Sequence, residues 1–146
     1  MLLILVLVGL SLVVMSESRF ITRATKILNI GHLPGHVNGK ITKLAEAGFH
    51  NTVAIITKDW TKENIKAELL ASPSSLFIVG GAMNKEYPVL MAELNAYIHD
   101  NVPSIFVHNT TAADFPPGIA LPPTEEIVSA SAVTIAMRLL KEEDDL

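Results

Sequence analysis

The chain contains no cysteine, which removes disulfides, thiolate nucleophiles and zinc–thiolate sites together. A reducing compartment is compatible with that absence. Aromatic residues are few, with one Trp and two Tyr, and Lys and Arg are scattered rather than gathered. Nucleic-acid binders use a basic stripe to displace phosphate counterions, so no nucleic-acid partner is expected. The formal charge of -4 at pH 7 points the same way, and acidic residues concentrate in Glu142-Glu143-Asp144-Asp145. Three phosphate and nucleophile motifs are missing as well. Gly31, Gly35 and Gly39 recur every fourth residue, which is not the Gly-x-Gly-x-x-Gly of a dinucleotide site. Gly39-Lys40 lacks the upstream glycine of a P-loop, and no Gly-x-Ser-x-Gly elbow presents a serine.

What remains is an ordinary globular composition: 146 residues, 49% apolar and 18% charged. That excludes global disorder and suits one domain with a real core. Two segments are read: 1–22, an apolar amino-terminal stretch with its linker, and 23–146, a single domain. From Leu2 to Met15 only Gly9 and Ser11 interrupt the apolar run. It has no basic residue ahead of it and a poor cleavage context at Val13-Val14-Met15, so it is not read as a secretory signal. At fourteen residues it is short of the roughly 20 that cross a bilayer. Arg19, Arg23 and Lys26 follow it, which would keep an inserted domain cytoplasmic. Three readings stay open: a membrane-associated helix over 2–14, a cytoplasmic protein that starts at Met15, and a buried structural strand.

From Arg23 onward the pattern alternates between strand and helix. Strands are expected at 26–30, 52–57, 75–79 and 104–107. Helices are expected at 37–47, 61–71 and 87–101, with a last one starting near Thr124. In the first helix Ile41, Leu44 and Ala45 form the apolar face and Lys40, Lys43 and Glu46 the outer one. Gly48 is placed to end it in the left-handed conformation, Thr61 to cap the second helix, and Pro88 to open the third. Four strands alternating with helices imply βαβ units with right-handed crossovers. The expected fold is a small three-layer α/β/α domain on a four-stranded parallel sheet, in the order 2-1-3-4 and Rossmann-like. Its topological switch point lies between the first and third strands, and ligands of such sheets bind outside the carboxyl strand ends.

Three polar segments fall at that edge: Gly31-His32-Leu33-Pro34-Gly35-His36, Gly80-Gly81-Ala82-Met83-Asn84 and His108-Asn109-Thr110-Thr111-Ala112-Ala113-Asp114. Gly80 and Gly81 would admit a ligand to the backbone. The N–H groups near Val37 and Asn38 open a helix and could face an anion. Gly31, His32, Gly35, Asn38, Gly80, Gly81, Asn84, Asn109, Thr110 and Thr111 are therefore the expected ligand-binding residues. His108, His36 and Asp114 are the candidates for acid–base work, since imidazole titrates near neutral pH and a carboxylate can orient it. The competing reading of 109–114 is a loop stabilised by Asn, Asp and Thr that ties off the fourth strand. His32, His36, His108 and Asp114 are donors of the right chemistry for a metal, but no second motif supports one and no metal is expected. His50 and His99 fall at helix ends, away from this edge, and Trp60 after Asp59 reads as a packing or rim residue.

The strand ending in Ile30-Gly31, the run Ile78-Val79-Gly80-Gly81-Ala82-Met83, and His99 followed by Asn101-Val102-Pro103 form a pattern together. With 108–114 they resemble a family of small Rossmann-like (flavodoxin-like) α/β proteins of unknown function. The resemblance covers about residues 26–114 and implies a fold and a site position, without an activity or a cofactor. The leading expectation is a domain that binds a small polar or anionic ligand at the carboxyl edge of its sheet. Two alternatives stand beside it: a small lyase, isomerase or hydrolase using His108 or His36 as acid or base, and a protein-interaction module or homodimer. The amino terminus makes a separate prediction. Full-length protein should fractionate with membranes and a version starting at Met15 should not; equal solubility of the two would reject the anchor.

Overall fold

The computed structural model describes residues 20–140. The run 2–14, for which a helix was expected, and the acidic tail lie outside the described residues. Among the described residues no helix is long and apolar enough to cross a membrane. Four strands alternate with helices: β1 (Ile27–Gly31), α1 (Pro34–Glu46), β2 (Thr52–Ile56), α2 (Lys62–Leu70), β3 (Leu76–Val79), α3 (Met83–Glu86), α4 (Pro88–Asn101), β4 (Phe106–Asn109) and α5 (Glu125–Leu139). The sheet is parallel throughout and its order is β2-β1-β3-β4, as the alternation of periods had implied.

β1 is buried at every residue because it is hydrogen-bonded on both sides and covered on both faces. Its side chains alternate between two cores. Leu28 and Ile30 join Phe77 and Val79 against Ile65 and Leu69 of α2 and Met91, Leu94 and Ile98 of α4. Ile27 joins Leu76 and Ile78 against Leu44 of α1 and Ala132, Ile135 and Ala136 of α5. The result is the expected three layers, with α1 and α5 on one face and α2 and α4 on the other.

The caps follow local chemistry. Thr61 Oγ1 accepts from the Asn64 N–H at 3.1 Å and Thr124 Oγ1 from the Ile127 N–H at 3.3 Å. Gly48 ends α1 at φ +94°, a conformation that costs glycine nothing. Two of the expected elements shift by more than one residue. α1 begins at Pro34 rather than at 37, since proline at the first helical position loses no hydrogen bond. β4 runs Phe106–Asn109 rather than 104–107, so His108 and Asn109 are strand residues.

The earlier start of α1 also corrects its faces. Val37, Lys40 and Leu44 are its buried stripe, at spacings of three and four, and Lys40 is only 2% exposed. It does not lie on the outer face.

α1 and α5 lie very close together. A Cβ at Gly39 would collide with Ser129 Oγ, and one at Gly35 would come within 2.5 Å of Glu125 Oε2. Both glycines thus sit inside α1 and face α5, Gly35 included, which was expected at the ligand edge. Helix propensity alone favours Ala over Gly by about 1 kcal/mol, so the sign of one substitution is diagnostic. Gly39→Ala should destabilise the protein in urea unfolding by about 1–3 kcal/mol, the usual cost of overpacking, and Ser129→Gly in the same chain should recover most of it. A stabilised Gly39→Ala would mean that the helices are not in close contact.

Candidate functional site

The carboxyl ends of the four strands gather at Gly31, Ile56, Val79 and Asn109, with the switch point between β1 and β3. At that point two glycines follow β3, the first packed against β1 and the second open. A Cβ at Gly80 would meet the Ile30 carbonyl oxygen at 3.2 Å and the Gly31 Cα at 3.8 Å. Gly81 is exposed, and a Cβ there would meet only the Thr110 oxygen, at 3.7 Å. Thr110 continues the ladder past β4, its N–H donating to Val79 O at 3.0 Å. Its hydroxyl is buried and has no hydrogen-bond partner.

Around this point the expected residues fall into two groups. Toward α3, the His32 ring meets Glu86 Oε2 at 3.1 Å and tilts against Tyr87, while Asn84 Nδ2 donates to Asn109 Oδ1 at 2.8 Å. These pairs satisfy one another. Toward α1 and α5 lie His36, His108 and Asp114. Val37 Cγ2 fills the space over Gly31, where a Cβ would come within 2.7 Å of it. Gly35 belongs to the α1–α5 contact. Asn38 is exposed, and its carbonyl accepts from Thr42 Oγ1 at 3.1 Å within α1.

His108 and Asp114 form a pair, Nε2 to Oδ2 at 3.0 Å, and the Asp114 side chain is 1% exposed. The same carboxylate accepts from the Thr111 N–H at 2.9 Å and from Arg138 Nη1 of α5 at 2.9 Å. Burial pushes the Asp114 carboxyl up, but the bonds from His108, the Thr111 amide and Arg138 outweigh it and hold it below the usual range. Thr111 Oγ1 accepts from the Ala113 N–H at 3.3 Å. Thr111 and Asp114 thus close the turn after β4 and tie it to α5. His108 remains 23% exposed, with Nδ1 turned away from the carboxylate that Nε2 engages.

His36, half-buried on α1, is held below the ordinary imidazole value. Burial is the main cause, the charges on Lys40 and His32 add to it, and Glu125 opposes it. His36 therefore favours its neutral form. Among the described residues there is no group of three or more His, Cys, Asp or Glu arranged to hold a metal ion.

Two residues not expected from the pattern stand out. Asn29, in the middle of β1, is 0% exposed, and neither its Oδ1 nor its Nδ2 has a partner. Lys40 is buried over the same face, and desolvation pushes its ammonium down to about 8. Both had a signal in the sequence. Asn29 is a polar residue inside an apolar strand, and Lys40 lies midway along the stripe that joins Val37 to Leu44. Arg138 and Glu125 come from α5, about a hundred residues from α1, and no local pattern announces them.

Comparison with protein-family models, with curated proteins and with solved structures finds no match to this chain. The fold and the geometry of this edge define a small parallel α/β domain with a polar carboxyl edge, and the functional reading rests on them.

The lowered Lys40 value makes a pH prediction. An unfolded lysine binds its proton up to about 10.5, the folded one only up to about 8. Stability should therefore rise from pH 8 to 10.5, where the unfolded state binds more protons, and the loss should be complete below 8. The full effect is about 3 kcal/mol by linkage. In urea unfolding across that range, Lys40→Met should lack the rise and be more stable than wild type at pH 7. Parallel curves for the two proteins would show that Lys40 is not desolvated.

Proposed function

We propose that this protein is a small-molecule binding domain of the Rossmann-like kind that its sequence resembles. Its ligand is small, polar and anionic, and it lies at the carboxyl edge on the side of α1 and α5. The observation that carries the reading is the buried, unpartnered hydroxyl of Thr110, a residue whose backbone carbonyl oxygen lies across from the exposed Gly81. An unmade hydrogen bond of that kind costs about 1–3 kcal/mol, and a ligand oxygen would remove the cost. The other two edge groups fit the same role. Neutral His36 can donate or accept a hydrogen bond, and His108 Nδ1 is not the nitrogen that Asp114 engages. The pairs on the α3 side are already satisfied and serve as the rim.

A second reading has its own observation, the bond of His108 Nε2 to the buried Asp114 carboxylate. That arrangement fixes the orientation of the ring, as a general acid or base requires. Arg138 shares the carboxylate and competes for its charge, so the pair serves the turn as much as any chemistry. Binding is the better supported of the two.

Thermal-shift titration with nucleotides, sugar phosphates and organic acids tests the proposal, since a ligand stabilises the native state by mass action. Gly81→Val and Thr110→Val should abolish the shift produced by whichever class binds. Each should alter unliganded stability by no more than about 1–2 kcal/mol. Replacing His50, which precedes β2 at the opposite end of the sheet, should leave the shift intact. A full shift in both edge variants would reject the proposed position.

A further inference from the structure

The amino-terminal edge of the sheet, opposite the proposed site, has an apolar corner of its own. α5 runs from the carboxyl edge, where Glu125 meets Gly35, to Leu139 at the amino edge. There the chain enters the domain. The Ile21 N–H donates to Leu139 O at 2.9 Å, and Ile21 and Leu140 form an isolated parallel bridge. Both side chains join the core of Ile27 and Leu76. Arg23 holds the same corner. Its Nε donates to Ala47 O at 3.2 Å and its Nη2 to Met137 Sδ at 3.9 Å, while its Cζ lies 5.4 Å from the centre of the Phe49 ring. The point of entry is therefore fixed to the body of the domain. Phe20 and Met137 flank it, and they are 56% and 42% exposed.

The chain ahead of Phe20 indicates what covers this corner. Leu2 to Met15 is apolar apart from Gly9 and Ser11, and only Ser16, Glu17, Ser18 and Arg19 separate Met15 from Phe20. We propose that the amino-terminal edge docks on a lipid bilayer, Phe20 and Met137 against its interface, with the carboxyl edge turned to the aqueous side. This rests on the reading of 2–14 as membrane-associated and is independent of the ligand. The reach of the chain limits the orientation. From Met15 to Phe20 the backbone spans at most about 18 Å, at about 3.6 Å per residue. α5 has 15 residues and is about 22 Å long, at about 1.5 Å per residue. A run anchored up to Met15 cannot pass the length of α5 and bring the carboxyl edge to the bilayer. Nor does the domain lie flat, because Asn38, Thr42, Glu126 and Thr134 make the outer face of α1 and α5 polar. Charge does not select anionic lipid. Arg19 and Arg23 are at the entry, but Lys26 is paired with Glu68 at 3.1 Å, and Glu142-Glu143-Asp144-Asp145 follow Leu140 closely in the chain. The contact is apolar, and zwitterionic lipid suffices.

The chain has no cysteine, so single cysteines can report which edge meets lipid. Full-length Met137→Cys and Leu121→Cys, both at exposed positions, are labelled with an environment-sensitive fluorophore. Each is mixed with phosphatidylcholine vesicles that carry a nitroxide lipid. Both proteins should float with the vesicles. The label at 137 should shift to the blue and lose most of its emission to the nitroxide. The label at 121, in the loop that enters α5 at the carboxyl edge, should keep its emission. Phe20→Ser added to Met137→Cys should remove most of the blue shift while flotation persists. An unchanged shift there would leave this edge near the bilayer without docking, and the proposal is rejected. Quenching at both positions would lay the α1–α5 face flat, and quenching at 121 alone would invert the domain; either overturns it. A protein that does not float has no anchor, and the docking falls with it. A 137 label shielded without vesicles, together with a doubled mass in light scattering, would assign the corner to a second copy of the chain instead.

Discussion

The contact between α1 and α5 governs the rest of one face of this protein. Gly39 against Ser129, with Ala132 and Ala136 further along α5, lets two helix backbones approach more closely than larger side chains would permit. Glycine inside a helix is unfavourable, so it persists here only because the packing it allows contributes more. The close approach sets the height and rotation of α1 over the sheet. With that rotation Val37 and Leu44 are buried, and Lys40, between them, is buried with them. A helix turned by one residue would place Lys40 in solvent and lower Ile41 into the core, which is the arrangement that composition alone suggests.

That geometry produces an uneven distribution of polar groups. On the α3 side of the carboxyl edge, His32 with Glu86 and Asn84 with Asn109 complete one another at the surface. On the α1–α5 side, Asn29 and Thr110 are buried without partners, and Lys40 has only desolvation acting on it. Native proteins seldom tolerate such groups, and those that remain are associated with function or with bound solvent. The His108–Asp114–Arg138 cluster differs from these because its buried carboxylate is bonded at both oxygens. It joins the turn after β4 to the last helix, and its acidic member is held ionised by three donors.

Alternation of strand and helix, visible in the apolar periods and in the caps at Thr61, Gly48 and Pro88, determined the parallel sheet and its order. Crossovers of that length have one favoured hand and few ways to pack. The same alternation put Gly31, Gly80 and Thr110 at one edge, because carboxyl strand ends in a parallel sheet must gather there. These are local properties, carried by a few neighbouring residues, and the sequence by itself was enough to read them.

What only the tertiary structure decided is which side chains meet across elements. Nothing in the spacing of Gly35 and Gly39 shows that α5 lies beside them. Asn109 and His108 are adjacent in the chain, yet one strand sends them to opposite faces of the sheet. Asp114 became a shared acceptor only when Arg138 was brought to it from α5. The burial of Lys40 follows from the rotation of a helix, and that rotation is set by a contact with residues ninety positions away. Short-range pattern determines periodicity and caps, whereas the environment of a charge depends on every element packed around it.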